Sequence, residues 1–468
     1  NALDVPDLKI GTALTEAQQH ALKKNIVWLV EKRMADKTVL VPQLYLSSSA
    51  AENKQGGSVL GKNVQMTLSS LENRGGEIRA ENQLEITTKK SLSNLSGELK
   101  GDNVTFKTPR LIHQTLFQRY GDADNYTEMA HRHALIYAKQ DVLVEGLKST
   151  GPENKIDLIG STIDSENGRV HLNSDSDISV RSLVLEKKTT QWPPQDDILA
   201  RYIEQHIVRA DISSTQEIKM NALRNIDLQG VALRSPYLSI ESQQGNVDLR
   251  ALALIQASQI HKKSRSGSFF SSQETSNWDT RIHIAHANTD IFFGDYVEIL
   301  AKHGWIQLGD TDFISMKAKG NTASVLKLSA QSVSTLPTQD VDYSQKKSYD
   351  SFLGIRFEGH SSVVNAVEHA HKALGAQGSG QAYVRATVMR GAQMAGDVSN
   401  IAFNDTVGAS LNFSKESRKK ITDYQMKSDL VSTWSADKIF VNATKGDIFL
   451  SGINLASEKS DGLIDFRA

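Results

Sequence analysis

The chain has 468 residues, 39% of them apolar but only 6% aromatic, with a net charge of −1 and no cysteine. Near-neutrality excludes a global field that would gather nucleic acid or anionic membrane. The missing thiols exclude disulfides, thiolate metal centres and cysteine nucleophiles.

The length suits two or three ordinary domains or one elongated repeat array. No charged-then-apolar leader follows Asn1, and no apolar run approaches the roughly 18 residues of a membrane helix. The clearest runs, 26–30 and 251–255, are far shorter. The sequence therefore reads as a soluble piece of a larger chain, without its targeting end.

Residues 1–13 read as a linker. Thr15 is placed to cap a helix running to Lys24, and segments 25–32 and 39–46 flank a polar turn at 35–37, which predicts a strand pair. Residues 1–50 would cap one end of a repeat array. Leu14, Thr15, Gln18, Leu22, Ile26, Val27, Trp28, Val30 and Glu31, followed by Val39, Leu40, Val41, Pro42, Gln43, Leu44, Tyr45 and Leu46, resemble a segment of two-partner-secretion exoproteins. These are the filamentous-haemagglutinin-like adhesins and contact-dependent growth inhibition toxins. In them this segment precedes a field of haemagglutinin repeats.

Repeats do follow. Gly57, Gly76 and Gly97 open three units, each with an asparagine six residues on (Asn63, Asn82, Asn103) and then a short apolar alternation. Asparagines stacked at one turn of successive units would bond the backbone above and below. The second unit slips by one residue after its asparagine.

A phrase of two aliphatics spaced by one residue, closed by a small residue, then returns: Val142, Val144, Gly146; Ile156, Leu158, Gly160; Ile226, Leu228, Gly230; Val247, Leu249, Ala251; Ile448, Leu450, Gly452. Alternation marks a strand with one buried face, and the small residue suits a bend. A strand-and-bend unit recurring at about 20 residues predicts a solenoid. The expected fold is all-β, a right-handed parallel β-helix, with roughly a dozen coils giving a rod of about 60 Å at 4.8 Å per coil.

Coils would occupy 51–340, interrupted by excursions near 106–136, 183–217 and 261–281. The second excursion holds a helix at 198–207. The longest interruption, 341–431, holds helical spacings at 363–374 and 383–394 around the glycine-rich 375–380, and final coils fill 432–468.

Chemistry-bearing groups are sparse. His131 and His133 share a strand face and could chelate a metal, whereas His369 and His371 diverge on a helix. Asp175 with Asp177, and Asp310 with Asp312, lack the ordered nonapeptide of calcium-binding β-rolls and read as solvated turns. Residues 375–380 lack the Lys-Ser/Thr of a phosphate loop. Short basic runs at 187–188, 261–263 and 418–420 are interspersed with acids and read as solvated faces.

The expectation is therefore no catalytic, cofactor or metal site, no nucleic acid and no small-molecule substrate. The resemblance implies export through an outer-membrane two-partner-secretion transporter, residence outside the cell or on its surface, and a shaft, delivery or adhesion role against a target cell. The absence of cysteine fits a chain that crosses a pore unfolded. The competing expectation is a β-helical polysaccharide-degrading enzyme, which needs carboxylates about 5–9 Å apart in one groove. A receptor-binding tip is a third.

Overall fold

A computed structural model describes residues 11–12, 14, 18, 26–34, 37–45, 56–148, 155–191, 198–268, 271–316, 323–350, 418–457 and 462–468. All elements among them are strands. The chain threads three parallel ladders in turn and returns to the first, again and again.

The alternating aliphatics explain why. In the first ladder one inward row reads Val59, Ile78, Leu99, Ile136, Ile163, Ile212, Leu233, Ile291, Phe313, Trp434 and Leu455, each residue directly paired with the next. In the second ladder Val64, Leu84, Val104, Val142, Val170, Ile218, Leu238, Val297, Leu326, Ile439 and Ile464 stack in the same way. The third ladder stacks Leu71, Leu92, Leu111, Ile156, Ile178, Ile226, Val247, Ile306, Val333 and Ile448.

Ten steps of about 4.8 Å make the stack about 48 Å long. Nearly all of these side chains are buried in one continuous core. Each fully buried aliphatic contributes roughly 1.5–3 kcal/mol of transfer free energy. Because each turn touches only its neighbours, stability accumulates along the stack.

The strand pair expected at the N-terminal end is present as Ile26–Met34 against Lys37–Tyr45, antiparallel. Of the helix expected over 15–24 only Gln18 is described, and it is helical; the rest lies outside the described residues, as do the two helical spacings at 363–374 and 383–394. The helix expected at 198–207 is instead the strand Ile198–Val208. It is sandwiched between Leu183–Gln191 and Leu252–Ser268, so ladder bonds on both sides override the helical spacing.

The asparagine ladder also lies elsewhere. Asn63 pairs with Gln83, and Gln83 with Asn103, in an exposed row, because a bulge after Gly61 inserts an extra residue before Gln83. The inward ladder is Asn73 on Asn94 on His113.

Candidate functional site

The corner between the third ladder and the first is built in two ways. In the tight form the chain turns through a left-handed residue: Gly75, Ser96, Gly160, Gly230, Asp310 or Gly452. In the other form a hairpin leaves the stack. Four hairpins do so, with legs Phe117–Gly121 and Tyr126–Ala130; Leu183–Gln191 and Ile198–Val208; Leu252–Ser268 and Ser271–Ala287; Gln339–Asp350 and Arg418–Asp429. From Phe117 onward the two forms alternate strictly, hairpin then tight corner.

That alternation decides the architecture. A hairpin is two strands wide, about 9.6 Å, and two turns of the stack rise about 9.6 Å. Hairpins on every second turn therefore tile without gap or crowding. The result is one antiparallel sheet of eight strands running from Phe117–Gly121 at one edge to Arg418–Asp429 at the other. The seams are continuous: Lys188 pairs with Tyr126, Ile203 with Ala257, and Ile282 with Tyr343.

Tight corners seat the hairpins above them. A Cβ on Gly160 would lie 2.6 Å from Leu183 Cβ, and one on Gly230 would lie 2.9 Å from Leu252 Cβ, so only glycine lets each hairpin start there. Hydroxyls pin the legs. Thr115 Oγ1 donates to the Gly160 carbonyl and accepts from Ala134 N–H at 3.0 Å. Ser182 Oγ repeats this on the next pair, donating to Gly230 O at 2.6 Å and accepting from Ala210 N–H at 3.0 Å.

The two faces of this sheet differ. On one face Glu128, Glu186, Gln205, Ile255, Ile282 and Val341 are buried. There Arg119 reaches Glu128 through Nη2 at 2.7 Å and lies over the Tyr126 ring at 4.0 Å. The Tyr126 hydroxyl donates to Glu186, Gln205 Nε2 donates to Glu186 at 2.8 Å, and Ile255 N–H donates to Gln205 Oε1 at 3.0 Å. Three hairpins are thus locked by one polar chain. Further out, His261 stacks on Trp278 at 3.8 Å. The opposite face carries exposed Lys187, Tyr202, Glu204, Ile260, Arg281, Tyr424 and Met426.

The groups singled out from the sequence are dispersed over the stack. His133 Nε2 sits 2.9 Å from Thr162 Oγ1, and burial holds its pKa down; the pair with His131 gathers no third ligand among the described residues. His369 and His371 lie outside the described residues. Asp177 is taken by Arg224 at 2.7 Å and by Asn225. Asp312 accepts from Thr433 N–H at 2.6 Å and from Asn288 at 2.9 Å. Asp310 sits at a left-handed corner, and burial pushes its pKa up to about 7.

One carboxylate pair escapes a reading of the sequence: Asp227 lies directly opposite Asp248 on adjacent turns. Arg250 holds Asp227 at 2.7 Å, and burial raises Asp248 to about 7. Their spacing of 21 residues, equal to the local repeat, is the signal that could have found them.

Fold and surface together define a class: an elongated all-β repeat protein whose stacked core carries a sheet of projecting hairpins. Comparisons narrow it. Over 92 residues the chain is 38% identical to the 16S rRNA endonuclease CdiA of Enterobacter cloacae, covering 20% of this chain and 3% of that protein. Over 132 residues it is 30% identical to the tRNA nuclease CdiA of Yersinia mollaretii, covering 23% and 4%. It is also 25% identical over 146 residues to the protein adenylyltransferase and cysteine protease IbpA of Histophilus somni, covering 26% and 4%.

Segments covering 20–23% of this chain are thus similar to CdiA contact-dependent growth inhibition proteins. The matched segments span only 3–4% of the curated relatives' length. No family model and no solved structure matches the chain.

Proposed function

We propose that this segment is a non-catalytic right-handed parallel β-helix, a haemagglutinin-repeat shaft within a large secreted exoprotein. Its hairpin sheet is the surface that meets a target cell during adhesion or toxin delivery. The observation that carries this reading is the strict alternation of hairpins and tight corners. It turns separate insertions into one broad lateral sheet beside the stacked core. Right-handed winding is the sense expected for parallel strands joined by crossovers. Export through an outer-membrane two-partner-secretion transporter and residence on the cell surface are what the likeness to CdiA proteins implies. In this reading the nuclease activities named for the relatives belong to regions outside this segment.

The test is to replace hairpins 183–208 and 252–287 in the full-length exoprotein with Gly-containing tight corners patterned on 160–161. Loss of target-cell binding or delivery with export intact supports the reading. Full retention of both sinks it.

A second reading, a polysaccharide-degrading enzyme, rests on Asp227 and Asp248, one ion-paired and one with a raised pKa, about 4.8 Å apart along the stack. New reducing ends on incubation with surface glycans, abolished by Asp248→Asn, would favour it over the shaft.

A further inference from the structure

The hairpin sheet ends on Arg418–Asp429, which pairs with Gln339–Asp350 on one side and, among the described residues, with no strand on the other. Residues 419–429 are all exposed. Such an edge recruits another strand unless charge or a bulge blocks it. Here the basic guard Arg418, Lys419 and Lys420 clusters at one end, and 421–429 is left nearly neutral with Ile421, Tyr424 and Met426 on its two faces.

We propose that two copies of the chain join edge to edge through this strand, antiparallel, about a two-fold axis at Gln425. This stands whether or not the sheet's faces touch a target. An antiparallel edge pair can be symmetric only about an axis perpendicular to the sheet, so opposed residues share a face and the axis passes through one residue. Each possible centre makes different pairs. Centring on Asp423 sets that carboxylate against its own copy. Centring on Met426 sets Asp423 against Asp429, and centring on Lys427 opposes two ammonium groups. Centring on Tyr424 leaves Lys427 opposite Ile421.

Centring on Gln425 sets Asp423 opposite Lys427 twice on one face and Tyr424 opposite Met426 twice on the other; its one mismatch is Ile421 opposite Asp429, beyond the paired charges rather than in place of them. Opposite charges and apolar pairs at opposed positions are the arrangement that stabilises paired strands.

The carboxylates are already held in place. The Tyr343 hydroxyl donates to Asp423 at 3.3 Å, and Gln339 Nε2 donates to Asp429 at 2.6 Å. The far edge, Phe117–Gly121, is only 5 residues long against 12. Head-to-tail pairing would leave most of the long strand open, so a closed dimer is the better solution.

The chain has no cysteine, which makes the axis directly addressable. Gln425→Cys places one thiol of each copy on the axis, and mild oxidation should give a disulfide dimer. Asp423→Cys places the two thiols four residues apart along the strand, roughly 13 Å, beyond disulfide reach, and should give none. By sedimentation, Lys427→Asp should weaken the dimer at least tenfold, and the swap Asp423→Lys with Lys427→Asp should restore it. Hydrogen exchange in 339–350 reports that the hairpin is folded in each variant. A monomeric native chain overturns the proposal. So does a dimer indifferent to Lys427→Asp, or cross-linking as efficient at 423 as at 425.

Discussion

Acid should unzip the turns around His113 before it affects the rest of the stack. This histidine is fully buried at the end of the Asn73–Asn94 ladder. Asn94 Nδ2 lies 3.1 Å from His113 Nδ1 and can only donate, so Nδ1 must accept; Nε2, 3.0 Å from Thr162 O, therefore carries the hydrogen. Protonating Nδ1 would set donor against donor in a dry core. Burial, the leading cause, lowers the pKa from 6.5 to about 4, with His133 adding a smaller push in the same direction.

The folded state thus requires the neutral ring. Stability is whole above pH 6.5, falls by 1.36 kcal/mol per pH unit below it, and levels off near pH 4. The product is about 3 kcal/mol, or roughly a 300-fold loss of protection. Hydrogen exchange over 92–113, corrected for intrinsic rates and followed from pH 7.5 to 4.5, should already show a loss approaching ~100-fold. His113→Asn extends the asparagine ladder without a titrating group and should remove most of the acid loss, leaving the smaller part due to His133. An equal loss in that variant, or a flat native profile, would refute the reasoning.

Trp434 is fully buried and meets Phe313 edge to face at 5.6 Å. Trp434→Ala should cost about 3–5 kcal/mol, seen as early exchange of 432–456 while 156–250 stays protected. Gly230→Val forces a branched side chain into a left-handed corner, 2.9 Å from Leu252 Cβ. It should cost about 2 kcal/mol or more and loosen hairpin 252–287, measured by limited proteolysis of its legs. Arg119→Ala leaves Glu128 poorly compensated. Arg119 is half exposed, so the expected cost is about 1–2 kcal/mol rather than the larger figure for a fully buried pair. It should be confined to 117–130 in exchange measurements.

The stacked core was legible from single residues because inward positions must be apolar and alternate by two. Ile178 and Ile226, or Val247 and Ile306, announce themselves whatever lies between. The polar rungs were less legible. Asn63, Asn82 and Asn103 fit a regular spacing, yet a single bulge moved the middle one out of register, while Asn73, Asn94 and His113 hid a ladder behind a change of residue type.

The closing glycines carried half their meaning. Gly160, Gly230 and Gly452 are left-handed corners, whereas Gly146 and Ala251 have ordinary φ. Least legible was the hairpin sheet, because its strands pair across gaps of tens of residues. Thr275–Ile284 against Val341–Asp350 is a tertiary match that no local pattern encodes.

The pitch of the core constrains what can be hung on it. A hairpin on every turn would bring 9.6 Å of strand pair to each 4.8 Å of rise, and the hairpins would splay or stack on one another. A hairpin on every third turn would leave gaps of about 4.8 Å, each bordered by two open edges. Only the observed alternation closes the sheet, and it leaves every seam on a tight corner that must be small and left-handed or hydrogen-bonded. The legs at 183–191 and 198–208 are therefore fixed by neighbours on both sides. Ser182, Gly230 and the aliphatic rungs keep that sheet in place.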